Sequence, residues 1–277
     1  MNKLTTIILT KDSESSISKV INSCRSISSR ILIIDDFSTD KTVKIAKSLG
    51  CEIIKHKFEN YSKQRNWAQK YTNLNQEDWI LHLDSDEVLS KKLAENIKQA
   101  IDKKEADGYL IKKRIYFMEK PIRFGHMNPN WHLRLFKAGK GFCEYRLYDQ
   151  HFVSKGKTKK LNGLLLDLQL TTLEKWTSSH NKWSTAEALE ILLHKNRNNQ
   201  QLLPENFFGD KRMQKRWLKN NIYYRSPVLL RSILFFLYSY FFRFGFLDGK
   251  IGFIYHILQA FWFRFLIDAK IIELKKK

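Results

Sequence analysis

Residues 78–89, DWILHLDSDEVL, set a short apolar run, Trp79–Leu83, directly against three carboxylates, Asp84, Asp86 and Glu87. A run of this length that ends in acidic residues reads as a buried strand whose carboxyl end reaches the surface. Like charges this close repel each other, and desolvation adds to the cost. A metal ion, a proton or water has to offset it. The plain alternative is a strand end followed by a helix start, where the helix dipole favours acidic residues.

Reading upstream, the pattern alternates. Strands are expected at Leu4–Leu9, Ile31–Ile34, Cys51–Ile54 and Trp79–Leu83, with helices over Ser13–Ser26, Thr39–Leu49 and Ser62–Tyr71. Such alternation means βαβ units and a mostly parallel sheet with helices on both faces. The loops Thr10–Glu14, Asp35–Asp40 and Asp84–Glu87 then share the carboxyl edge, where sheets of this kind bind ligands. No GxGxxG follows the first strand, so phosphate has to be held another way, and a divalent metal on acidic groups does so. DSDEV also fits the Asp-x-Asp-x-Val signature of haloacid-dehalogenase-type phosphatases. That chemistry needs the motif on the first strand with the second acidic pair downstream, and here the strand is the fourth and Asp35 and Asp36 come earlier.

The chain has 277 residues and a formal net charge of +21, from 49 Lys+Arg against 28 Asp+Glu. That charge implies a polyanionic neighbour. Three scattered cysteines without a CxxC fit a reducing compartment. The start, MNKLTTIILTKD, has an apolar stretch too short for a signal peptide. Beyond Gly108 the runs YLIKKRIYF, WHLRLFK and YRLYDQHFV read as shorter strands, and Thr171–Asn199 as a long helix. QQLLPENFFGD is a boundary. The expected divisions are 1–107, 108–200 and 201–277, the last a basic, aromatic helical region.

With TIILTKDSE, IIDDFSTDKT, NYSKQRNWA and WILHLDSDE in order, the chain resembles family 2 glycosyltransferases of the GT-A fold. WHLRLFKAGKG and the tail FGFLDGKIGFIYHILQAFWFRFLIDAK are similar to the lipopolysaccharide-core glucosyltransferase-like branch. The resemblance implies an α/β GT-A domain, Rossmann-like, plus C-terminal amphipathic helices. It implies an inverting transfer of a single sugar from a nucleotide donor, UDP-linked by preference, with Mn²⁺ or Mg²⁺ as cofactor. Thr10, Lys11, Asp12, Glu14 and Asp35 are implied at the nucleoside, and Lys63, Arg65 and Asn66 near the base and diphosphate. Asp84 and Ser85 are implied near the ribose, and Asp86, with Asp84, on the metal. Ser38 and Asp40 are expected to cap the following helix. Trp131, His132 and Arg134 are implied on the acceptor side. The transfer also needs a base for the acceptor hydroxyl. The related branch has His-Glu where this chain has Asp149-Gln150, so Asp149 is the first choice and Glu144 the second, with His151 placed to orient either.

In the tail, Pro227–Leu247 is long enough to span a bilayer but carries Arg231 and Arg243, and Ile251–Ile267 carries His256 and Arg264. Charges toward segment ends are relieved by snorkelling. Helices lying in the cytoplasmic leaflet of an anionic inner membrane, peripheral or monotopic, are therefore expected, beside a glycan or lipid-linked acceptor. No helix-turn-helix, zinc or RNP-type signature supports nucleic acid. Oligomeric state is open. The reading from another class is a non-catalytic sugar-nucleotide binder of the same fold at a membrane surface.

Overall fold

The computed structural model of the chain describes residues 3–193 and 202–276. The first half runs β1 (Leu4–Thr10), α1 (Ile17–Cys24), β2 (Arg30–Asp35), α2 (Thr42–Ser48), β3 (Glu52–Lys55), α3 (Tyr61–Tyr71), β4 (Trp79–Asp84), β5 (Glu87–Leu89) and α4 (Lys91–Lys103). It continues with β6 (Gly108–Phe117), β7 (Lys120–Pro121), β8 (Asn130–Lys137), β9 (Gly141–Cys143), β10 (Phe152–Ser154) and β11 (Thr158–Asp167). The helices that follow are α5 (Leu173–Leu193), α6 (Lys211–Leu218), α7 (Leu230–Leu237), α8 (Gly249–His256) and α9 (Phe263–Lys275). The end of the expected helix at 194–199 and the first residues of the expected boundary loop lie outside the described residues.

The chain forms two compact units, one of residues 1–114, 130–145 and 150–170 and the other of residues 115–129, 146–149 and 171–277. In the first, strand order is β3-β2-β1-β4-β8-β6-β11-β5. β3, β2, β1 and β4 are parallel to their neighbours, and β8 turns the sheet antiparallel against β4. This is the mixed α/β architecture expected, with its parallel half where the alternation placed it.

β1 is buried along its whole length because both of its faces are covered. Leu4 and Ile8 pack with α1 and α4 through Val20, Ile21, Leu93 and Ile97, while Ile7 and Leu9 face the cluster that contains Ala68 of α3. Gly163 in β11 takes φ +106, and a Cβ there would meet the Leu93 backbone at 2.6 Å. Only glycine lets strand and helix approach so closely.

DSDE does not begin a helix. Asp84–Glu87 make a turn between β4 and β5, and the helix starts later, where Ser90 accepts the N–H of Leu93. β5 lies antiparallel on β11, with Glu87 opposite Asp167.

In the second unit, α5 and α9 bury Ala188, Phe263, Ile267 and Ile271 together, and Trp176 and Tyr255 pack with Ile115, Phe117 and Ile122. Several charges of the tail are held inside the unit. Arg231 and Asp268 form a buried pair, Asp248 accepts the N–H groups of Arg123 and Phe124, and Arg264 reaches Glu187 at 3.1 Å. Pairing these groups inside the unit offsets part of the cost of burying them. Among the described residues no single helix is long and apolar enough to cross a membrane; one bent pair, Leu230–Phe242 with Gly245–Lys275, passes by length and composition with a 70° bend.

Candidate functional site

The carboxyl ends of β1, β2 and β4 bring the three expected loops to one edge. The first two loops are tied together. Lys11 Nζ donates to the carbonyls of Asp36 and Phe37, Asp12 accepts the N–H of Thr39 at 2.7 Å, and Glu14 accepts that of Lys41 at 3.0 Å. Asp35 has no exposed surface and accepts both the N–H and the hydroxyl of Ser38. Ser38 thus braces Asp35 instead of capping α2, whereas Asp40 does accept the N–H of Thr42 at 2.9 Å. Thr10 is buried at the end of β1 with its Oγ1 unpartnered among the described residues. Ser85 is hydrogen-bonded to Ser13 at 2.8 Å, which joins the third loop to the first.

The third loop carries the densest charge. Asp84 accepts from Arg65 at 2.8 Å on one oxygen and from Arg134 at 2.7 Å on the other. Arg134 also meets the fully buried Glu87 at 2.6 Å, and Glu87 accepts the N–H of Asp84 at 3.0 Å. Lys113 of β6 bridges Glu87 at 3.2 Å and Asp167 at 2.8 Å. Three cations therefore neutralise Asp84, Glu87 and Asp167. Asp86 makes no ion pair or side-chain hydrogen bond among the described residues.

Proton affinities follow from this. Burial favours the neutral form of Asp84, but Arg134, Arg65 and Lys113 outweigh it and hold the carboxyl well below the usual range. Burial raises Asp86, and Asp167, Asp84 and Glu87 push it further, well above that range, with only Lys113 opposing. A proton or a cation is thus what Asp86 still lacks.

The folded protein holds the Asp86 proton at pH values where the unfolded chain has released it. That penalty is absent below about pH 3, where both forms are protonated, and grows as pH rises. Asp86→Asn removes it. In chelator, thermal unfolding is expected about 2–4 °C higher at pH 8, a gain on the order of 1 kcal/mol in a chain of this size, and equal to wild type near pH 3, about a unit below the unfolded carboxyl's pKa. An unchanged midpoint at pH 8 contradicts this charge assignment.

Several expected site residues are engaged by neighbours within the fold. Asp84, expected with Asp86 on the metal, has both oxygens engaged by arginines. Arg134, expected at the acceptor, serves the carboxylates. Asn66 gives and receives hydrogen bonds with Cys143, at 2.7 and 2.8 Å, which fastens α3 to β9. Lys63 is exposed and pairs with Glu59 one turn away. Glu144 has no exposed surface and accepts the N–H of His151 at 2.8 Å, which braces the β9–β10 hairpin. Trp131 lies under Lys160, 5.1 Å from the ring centre, and His132 stacks on His151. Asp149 pairs with Lys219 at 2.9 Å. Lys113, Glu87 and Asp167 were not foreseen as site residues, although LLLD at Leu164–Asp167 repeats the pattern of an apolar run ended by a carboxylate.

A divalent ion fits here on one observation: Asp86 is a carboxylate without a protein counter-charge. Mg²⁺ and Mn²⁺ accept one or two carboxylates and complete their shell with water and substrate phosphate. Among the described residues no group of three or more His, Cys, Asp or Glu forms a ready cage.

Polar loops and an unneutralised carboxylate at the carboxyl edge of parallel strands define a ligand-binding α/β protein. The family model for glycosyl transferase family 2 matches residues 5–161. The chain belongs to that family and is a glycosyltransferase. It is 29% identical over 289 residues to an uncharacterized glycosyltransferase of Rickettsia prowazekii (strain Madrid E), covering 100% of this chain and 89% of the relative. A second uncharacterized glycosyltransferase, from Rickettsia bellii (strain RML369-C), is 36% identical over 108 residues, which is 39% of this chain and 36% of that one. Among solved structures, S. aureus TarS 1–349 in complex with UDP-GlcNAc aligns over 99% of this chain and 92% of its own, at 13% identity and a TM-score of 0.49.

Proposed function

We propose that this glycosyltransferase moves a single sugar, with inversion, from a UDP-linked donor to a lipopolysaccharide, surface-polysaccharide or lipid-linked acceptor, and that it depends on Mn²⁺ or Mg²⁺. The observation that carries the reading is the charge balance at the β4–β5 turn, where Asp86 alone lacks a cation among three neutralised carboxylates. Asp86 would hold the metal. When bound, the metal supplies Lewis-acid charge to the diphosphate leaving group. Arg65 and Arg134 fix Asp84 beside it, and the buried Asp35 with Thr10 would receive the nucleoside. Asp149 takes the proton of the acceptor hydroxyl. The acceptor oxygen then bonds to the sugar C1, and the C1–O bond to phosphate breaks with its electron pair leaving on the nucleoside diphosphate. The lipopolysaccharide-core branch and the UDP donor rest on the family resemblance.

Chelator is expected to stop transfer, and added Mn²⁺ or Mg²⁺ to restore it, with the new linkage carrying the anomeric configuration opposite to the donor's by NMR. Full activity in chelator, or a retained configuration, opposes the proposal.

The setting proposed is the cytoplasmic face of an anionic inner membrane. Its support is an inverted helix. Along Leu230–Phe242 the buried residues are Arg231, Ser232 and Ser239, while Leu230, Ile233, Leu234, Leu237, Phe241 and Phe242 are exposed. Spacing of three and four places most of the exposed residues on one helical stripe, and a stripe of this kind beside basic segments suits an anionic lipid surface. Vesicles containing anionic lipid should sediment the protein, and Leu234→Asp with Phe242→Asp should release it. Equal sedimentation of both proteins contradicts lipid insertion, as does a stable dimer formed through this face without vesicles.

A further inference from the structure

Residues 146–149 belong to the second compact unit, although the chain on both sides of them, 130–145 and 150–170, belongs to the first. Side-chain contacts from α5, α6 and the turn after it hold this short segment there. Arg146 pairs with Glu190 at 3.2 Å, and the N–H of Leu147 donates to the other Glu190 oxygen at 2.8 Å. Arg216 donates to the carbonyl of Asp149 at 3.4 Å, and Lys219 Nζ meets its carboxylate at 2.9 Å. Asp149 itself sits at φ +56, in the left-handed region that aspartate adopts more readily than most non-glycine residues.

Lys219 is not a loose surface ammonium. It also pairs at 2.7 Å with Glu187, which is buried and receives the hydroxyl of Tyr224 at 2.9 Å and Arg264 at 3.1 Å. A chain of charges thus runs from Arg264 in α9 through Glu187 in α5 to Lys219, in the π-helical turn that follows α6, and ends on Asp149. Lysine has four rotatable stem bonds, so an unanchored ammonium would not fix a carboxylate. Anchoring by a buried acid with two further donors removes that freedom.

We propose that Lys219 is the positioning residue for Asp149, held from behind by Glu187. This rests on the reading of Asp149 as the base. The competing role is purely structural, with Lys219 serving only to neutralise Glu187, a task Arg264 already shares.

The experiment is a double-mutant cycle on the full chain, with Lys219→Met and Lys219→Arg made in wild type and in Asp149→Asn. Turnover, donor KM and thermal midpoint are read for each. Misplacing a reacting group by about an ångström costs up to ~10²-fold in rate. Lys219→Met is expected to lower kcat by about 10- to 100-fold with donor KM unchanged, Lys219→Arg to recover most of it, and Lys219→Met to add no further loss in the Asp149→Asn background. The same proportional loss in both backgrounds overturns the proposal, as does a loss confined to the midpoint or to KM. If Asp149→Asn keeps wild-type kcat, the base assignment falls and takes this proposal with it. If Asp149→Asn is crippled while Lys219→Met is silent, only the role of Lys219 falls.

Discussion

Asp86→Ala is expected to lower metal-supported transfer by at least about 10²-fold, the scale of losing one preorganised charge interaction at a leaving group. The protein should stay folded. Asp86 makes no ion pair or side-chain hydrogen bond among the described residues, and its neighbours repel its charge. Removing it relieves repulsion and breaks no partner. Activity and stability should therefore move in opposite directions, which separates a metal ligand from a residue that maintains the fold. The check is an initial-rate assay at saturating Mn²⁺ beside a thermal melt in chelator. Loss of both together would mean that Asp86 supports the structure, and retention of activity would remove it from the reaction.

Arg134→Ala should do the reverse and strike stability first. Arg134 is almost fully buried and serves Asp84 at 2.7 Å and Glu87 at 2.6 Å. Without it, Arg65 and Lys113 face four carboxylates, and Glu87 keeps only Lys113 as a cation. Removing one partner of a buried pair costs about 3–5 kcal/mol, because the remaining charge stays in a poorly solvated site. In a chain this long that is a fall in melting midpoint of roughly 6–20 °C. Adding Asp84→Asn should recover part of the loss, since it removes one of the stranded charges. A melt within about 1 °C of wild type would show the network to be well solvated and of little energetic weight.

Much of the first hundred residues was legible because its information is local. Apolar runs ended by Asp35 and by Asp84 mark strand termini, and the alternation with helices places both at one edge. The neutralising cations were not legible. Lys113 and Arg134 reach the acidic turn only because β8 pairs with β4 and β6 lies beside it, a register that no local pattern in YLIKKRIYF or WHLRLFK announces. Asp167 meets the same turn through β11 on β5, with Glu87 and Asp167 opposite each other and eighty positions apart. The plain alternative of a helix start at DSDE fails for a related reason: three residues of β5 precede α4, and they are a strand because β11 pairs with them. In the tail, composition revealed grease and charge but not their arrangement. Arg231 read as a snorkelling cation, whereas Asp268, distant in sequence, buries it as half of an ion pair.

The most direct measurement is a crystal structure of the protein with UDP and Mn²⁺, with anomalous data collected at the manganese edge. The account predicts a single strong peak within about 2.0–2.3 Å of an Asp86 carboxylate oxygen, the range for such small divalent ions, with the diphosphate on its far side and Asp84 still clasped by Arg65 and Arg134. UDP bound at the β1 and β2 loops with no manganese at Asp86, or manganese seated on other residues, would contradict it.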